Sequence, residues 1–175
     1  MATSAASRSP AGTSAPGGGA VDVGFGTDAS ATGSLPSTFV AGFHDEAAVR
    51  AMPYRQLGET GMLVSALSFG TSSLMGVHER TTQNEANRVV HTALARGINY
   101  IDTAPWYGHG VAEEMLGIAL QGVPRESYFL ATKVGRYDPG VTEQFDFRAD
   151  TVTARFEMSL ERLGVDYVDV LQVGF

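Results

Sequence analysis

Three side chains in this 175-residue chain have the types and spacing to move a proton. Asp102 closes the apolar run Ile98 to Asp102, Tyr107 follows within one loop, and Lys133 closes the next such run, Tyr128 to Lys133. An isolated phenol titrates near pH ~10 and is a poor acid or base at neutral pH. A neighbouring ammonium favours the phenolate, and a carboxylate holds the ammonium in place. An Asp, a Lys and a Tyr brought together therefore give a proton to, or take one from, a carbonyl or alcohol oxygen. From position alone, the Asp and Lys are as readily a structural ion pair, and a lone Tyr as readily a packed aromatic.

The elements that must bring these residues together follow from periodicity. Tyr54 to Leu57 and Met62 to Val64 flank Gly58-Glu59-Thr60-Gly61 and read as a hairpin. Ser65 to Phe69 reads as a buried strand. Thr82 N-caps a helix, with Glu85 completing a capping box, and Ala86, Val89, Val90, Ala93 and Leu94 form one apolar face. Gly97 stops it. Ile98 to Asp102 is the second strand. The next helix turns Ala112, Met115, Leu116, Ala119 and Leu120 inward and ends at Gly122. After the strand Tyr128 to Lys133, a third helix turns Val152, Phe156, Ser159, Leu160 and Leu163 inward and stops at Gly164. Tyr167 to Val173 is the fourth strand. Short apolar strands alternating with helices predict a parallel α/β sheet. An open doubly wound sheet and a (β/α) barrel compete. Ser68 to Ser73 has one Gly where a dinucleotide loop needs three, and Asp102 and Lys133 sit at the strand ends where barrels place their chemistry.

The remaining sequence sets bounds. Residues 1–35 are mostly Ser, Ala, Gly and Thr, a composition that predicts disorder. Gly24-Phe25-Gly26 has no strand before it and carries no phosphate-loop signal. Apolar residues return in 36–53, which reads as an arm packed on the domain formed by 54–175. The net charge of -7 argues against nucleic acid as a partner. No run of apolar residues approaches a membrane span. The absence of cysteine and of a signal-peptide core makes a cytoplasmic location the expectation. His44, His78, His91 and His109 lack metal-ligand spacing, so no metal is expected and these read as solvated or packing residues. Glu113 and Glu114 open a helix where its dipole favours them, and Arg155, Glu157, Glu161 and Arg162 read as a solvated helix face.

Four segments carry a resemblance. They are Phe43-His44-Asp45-Glu46, Tyr54-Arg55-Gln56-Leu57-Gly58, Gly97 through Gly108, and Ala131-Thr132-Lys133-Val134. With them the chain resembles the aldo-keto reductases, and within that superfamily the L-galactose dehydrogenase-like branch, from about Pro36 through Val173. The resemblance implies a partial (β/α)8 TIM barrel: the first four parallel strands, three helices and an N-terminal hairpin. It implies NAD- or NADP-dependent interconversion of a carbonyl and an alcohol in a small aldehyde or sugar. Tyr107 then matches the proton donor, Lys133 and Asp102 the residues that tune it. Gly70 and Thr71, with Asp102, fall beside the nicotinamide, and Trp106 with Tyr107 lines the substrate pocket.

The family carries a His at the tip of the fourth strand, where this chain has Gly174 in the run Leu171-Gln172-Val173-Gly174-Phe175. The later strands, which supply most cofactor contacts in the family, have no counterpart here. The expectation is the N-terminal half of a barrel, with weak or absent cofactor binding and no activity alone. Its unpaired strand edges predict self-association. The alternatives are a catalytically dead isoform and a binding module on a reductase scaffold.

Overall fold

The computed structural model describes residues 34–75, 81–137, 140 and 144–174. Nearly all of the expected low-complexity tail, and His78, lie outside the described residues.

The chain enters through a short helix, α1 (Glu46–Ala51), whose N-cap Asp45 accepts a hydrogen bond from the Ala48 amide. Strands β1 (Tyr54–Gln56) and β2 (Leu63–Ser65) pair antiparallel as the hairpin. A four-stranded sheet follows in the spatial order β3 (Phe69–Gly70), β4 (Tyr100–Asp102), β5 (Phe129–Val134) and β6 (Val170–Val173). Its pairings are all parallel. Helices α2 (Gln83–Ala95), α3 (Val111–Ala119) and α4 (Ala149–Leu163) connect successive strands.

One core decides between the two candidate architectures. Val90 and Leu94 of α2, Leu116 and Ala119 of α3 and Leu163 of α4 all meet Ile101 and Leu130 in a single cluster. The three helices therefore cover the same face of the sheet. A doubly wound sheet would divide them between two faces, whereas a barrel keeps them outside. The strands stand in sequence order, as the first four of a (β/α)8 barrel would, and the sheet does not close.

Local signals explain the element ends. Thr82 and Glu85 form the capping box in both directions. Past the end of α2, Gly97 adopts φ 92°, and a β-carbon there would lie 2.6 Å from the Tyr54 hydroxyl, which donates to the Gly97 carbonyl at 2.9 Å. Only glycine meets both demands.

Three expectations are corrected. Ser65 belongs to the hairpin, paired with Tyr54, and not to the first parallel strand, which is reduced to Phe69 and Gly70. The cause is Asn99, fully buried beneath β4. Its side chain accepts from the Ser65 amide at 2.7 Å and donates to the Leu63 carbonyl and the Thr38 hydroxyl at 2.9 Å each. Val89 is exposed rather than inward, lining an apolar groove with Met52, Phe69 and Ile98 beside the edge strand β3. Arg162, expected on a solvated helix face, instead reaches the fully buried Glu113.

Candidate active site

Parallel pairing places the proposed reactive residues. Asp102 ends β4 opposite Ala131, so Lys133 extends two residues further along β5, on the same face. The Lys133 ammonium donates to Asp102 Oδ1 at 2.5 Å and to the Thr103 carbonyl at 3.0 Å. It also lies 3.4 Å from the Tyr107 hydroxyl and 5.0 Å from the centre of that ring. The three residues singled out in the sequence thus meet at one nitrogen. The loop that delivers Tyr107 is pinned from within: the Ala112 amide bonds to the Tyr107 carbonyl, and the Tyr107 amide to the Ala104 carbonyl.

A cavity of about 270 Å³ opens beside this group, lined by Ala104, Trp106, Tyr107, Lys133, Arg136, Val173 and Gly174. The indole of Trp106 forms one wall, with the Arg136 guanidinium stacked 3.8 Å from its centre and His109 edge-on at 5.1 Å. Gly174 leaves open room. A β-carbon there would meet the Val134 carbonyl at 3.5 Å and Lys133 Cβ at 3.6 Å, ordinary contact distances.

The residues matched to the cofactor divide. Gly70 is exposed at the end of β3, in register with Asp102, and a side chain added there would meet nothing. Thr71 is buried: its amide donates to the Asp102 carbonyl at 3.0 Å and its hydroxyl to Thr103 Oγ1 at 2.8 Å. Its side chain therefore joins strand ends and does not face the site.

Two contributors were missed in the sequence. Gln172 on β6 pairs with Lys133 and donates to Asp102 Oδ2 and to the Tyr100 hydroxyl at 3.3 Å each, so both oxygens of Asp102 are held. Burial pushes the Tyr100 phenol up, and the Gln172 bond partly offsets this. The period-two alternation of β6 would have put Gln172 on the face of Lys133 once the strands were paired. Arg136 was missed because it lies past the strand, outside any local pattern.

Among the described residues, the histidines form no joint cluster. Burial holds the His44 imidazole below its ordinary value, a Val40 amide donates to its Nδ1 at 3.0 Å, and Phe39 and Phe43 flank it. His91 bonds to the Ala119 carbonyl at 2.7 Å. Among the described residues no cluster of histidine and carboxylate side chains is arranged to hold a metal ion.

Comparison with known proteins meets this geometry. The sequence model of the Aldo/keto reductase family matches residues 66–174. L-galactose dehydrogenase of Arabidopsis thaliana is 46% identical over 119 residues, which cover 67% of this chain and 36% of that protein. A second Arabidopsis thaliana protein, named "Probable voltage-gated potassium channel subunit beta", is 35% identical over 69% of this chain and 36% of its own length. The solved holo form of the aldo-keto reductase AKR11C1 from Bacillus halodurans superposes with a TM-score of 0.59 at 38% identity, over 70% of this chain and 40% of that one. The chain spans less than half the length of these relatives.

Proposed function

The chain belongs to the aldo/keto reductase family, and from that premise we propose that it carries the proton-handling half of an NAD(P)-dependent oxidoreductase acting on a small sugar or aldehyde. The observation that carries this reading is the Lys133 ammonium held between Asp102 Oδ1 and the Tyr107 hydroxyl, at the mouth of a cavity. Tyr107 gives its proton to a carbonyl oxygen in reduction and takes it back from the alcohol in oxidation. Lys133 stabilises the phenolate left behind, and Asp102 keeps the ammonium in place. Gln172 fixes the second carboxylate oxygen. Trp106 forms the wall against which the substrate lies.

Gly70 leaves open space in register with Asp102, the place where a nicotinamide ring would lie on this reading, and Thr71 supports it only by tying the strand ends. A nicotinamide cofactor held there would supply hydride chemistry, and Tyr107, Lys133 and Asp102 would handle the proton. The choice between sugar and aldehyde leans on likeness to L-galactose dehydrogenase. A cytoplasmic location remains part of this proposal; no helix of the described residues is long and apolar enough to cross a membrane.

A second reading is favoured by Gly174, which offers no imidazole where the family resemblance puts one. On it, the 175-residue polypeptide turns nothing over alone and acts, if at all, as a binding module. Open edges at β3 and β6, with Leu171 and Val173 exposed, favour self-association of this polypeptide. The test is a cofactor fluorescence titration with an absorbance assay on L-galactose and a panel of aldehydes. The 175-residue polypeptide should give neither signal. The same residues extended by the matching C-terminal half of the plant relative, with Gly174→His, should turn over. Silence from a folded, cofactor-binding extension would defeat the oxidoreductase reading.

A further inference from the structure

Two cations lie over two consecutive rings at the cavity: Lys133 over Tyr107 at 5.0 Å and Arg136 over Trp106 at 3.8 Å. Their situations differ. Lys133 is matched by Asp102 at 2.5 Å, so its charge is committed to the reacting end. Arg136 directs its Nε to a neutral acceptor, Gln144 Oε1, at 2.9 Å, and its guanidinium lies 5.5 Å from the ring centre of Phe145. Among the described residues the cavity's lining holds both cations and no carboxylate. A guanidinium held against an indole is restricted in its orientation, and its fork of N–H donors matches a planar two-oxygen anion.

We propose that Arg136 is a specificity-determining residue, and that the cavity takes a carbonyl or sugar substrate bearing a carboxylate remote from the reacting carbon. The inference rests on the reading of Tyr107 and Lys133 as the reacting end. The oxygen being reduced lies at Tyr107, the carbon chain runs along Trp106, and the far carboxylate meets Arg136. An uncharged sugar satisfies the first two contacts and leaves the third unmatched, so the site prefers the acid form.

Trp106 is the only tryptophan of the chain, so its emission reports on this stack without labelling. The experiment titrates the 175-residue polypeptide at fixed ionic strength with D-glucuronate, with D-glucose and with inorganic pyrophosphate. The first two differ at one carbon, which carries the carboxylate. The expected result is a saturable change with glucuronate and a response to glucose roughly tenfold weaker or more, the scale of one charge-assisted hydrogen-bond pair. Arg136→Gln should erase that preference, and Arg136→Lys should keep part of it. Tyr107→Phe should leave it in place, so a failed oxidoreductase reading and a failed carboxylate reading are told apart. Equal titrations by the two sugars, an unchanged preference in Arg136→Gln, or no saturable response would overturn the proposal. Tighter binding of pyrophosphate than of glucuronate would overturn it too, by assigning the guanidinium to cofactor phosphates.

Discussion

Thr132 and Lys133 are neighbours on β5 and project to opposite faces of the sheet. On the outer face Thr132 donates to Glu113 Oε1 at 2.8 Å, and the other oxygen of Glu113 pairs with Arg162 at 3.2 Å. That carboxylate is fully buried, and both of its oxygens are spent on partners from β5 and α4. On the inner face Lys133 and Asp102 form a closer ion pair, at 2.5 Å, but here the carboxylate too remains partly exposed, and the ammonium also reaches a phenol that lines a cavity. Similar groups serve different ends according to what closes over them. A buried carboxylate with both oxygens paired fixes how elements pack, because removing its partner strands a charge. A pair left at the edge of a cavity contributes little to stability and keeps a proton-transfer group within reach of a ligand.

The largest effect expected from this contrast is on turnover. In the extended, active form, Lys133→Met should lower kcat by on the order of 10²–10⁴ while shifting the urea midpoint only slightly. A large stability loss would place this pair with the outer one. Glu113→Ala should do the reverse. It leaves the Arg162 guanidinium and the Thr132 hydroxyl without their acceptor, at a cost of about 3 kcal/mol in chemical denaturation, with kcat per folded molecule nearly unchanged. Thr132→Val keeps shape and removes one donor, so a loss of about 1 kcal/mol is expected from the same measurement.

The last effect is confined to alkaline pH and lies in the hairpin, away from both pairs. Burial pushes the Tyr54 phenol up to about 12 from 10.0. The folded state therefore holds a proton that the unfolded state releases first. The contribution is fully present below pH 10.0 and is lost as pH rises toward about 12. Tyr54→Phe should flatten the stability profile across that window, read from melting curves at stepped pH. An unchanged slope would mean that the Tyr54 phenol ionises alike in both states.

Much of the inner face was legible because its signals are local. Asp102 and Lys133 end apolar runs, Tyr107 sits in a dense motif, and Thr82 with Glu85 announces the start of α2. The outer face was not legible, because Glu113 looks like any first-turn acid. Only its partner, 49 residues away on α4, reveals that it is buried. Ser65 was misplaced for the same reason. Its strand assignment is set by Asn99, 34 residues on, and not by its apolar neighbours. Val89 fits the helical period but faces the open side of an edge strand, where periodicity says nothing about cover. Gln172 and Arg136 became visible only when the strands were in register and the loop was folded over Trp106.

The claim on which the rest depends is that the Tyr107 hydroxyl, held at Lys133, is the group that transfers the proton. Its most direct test compares Tyr107→Phe with the parent in the extended form, measuring kcat and cofactor affinity together. The account predicts loss of turnover with cofactor binding within about twofold, since one hydroxyl is removed and the ring remains. Turnover that survives in Tyr107→Phe would contradict it, and the Asp102–Lys133 pair would then be no more than a structural contact at the end of two strands.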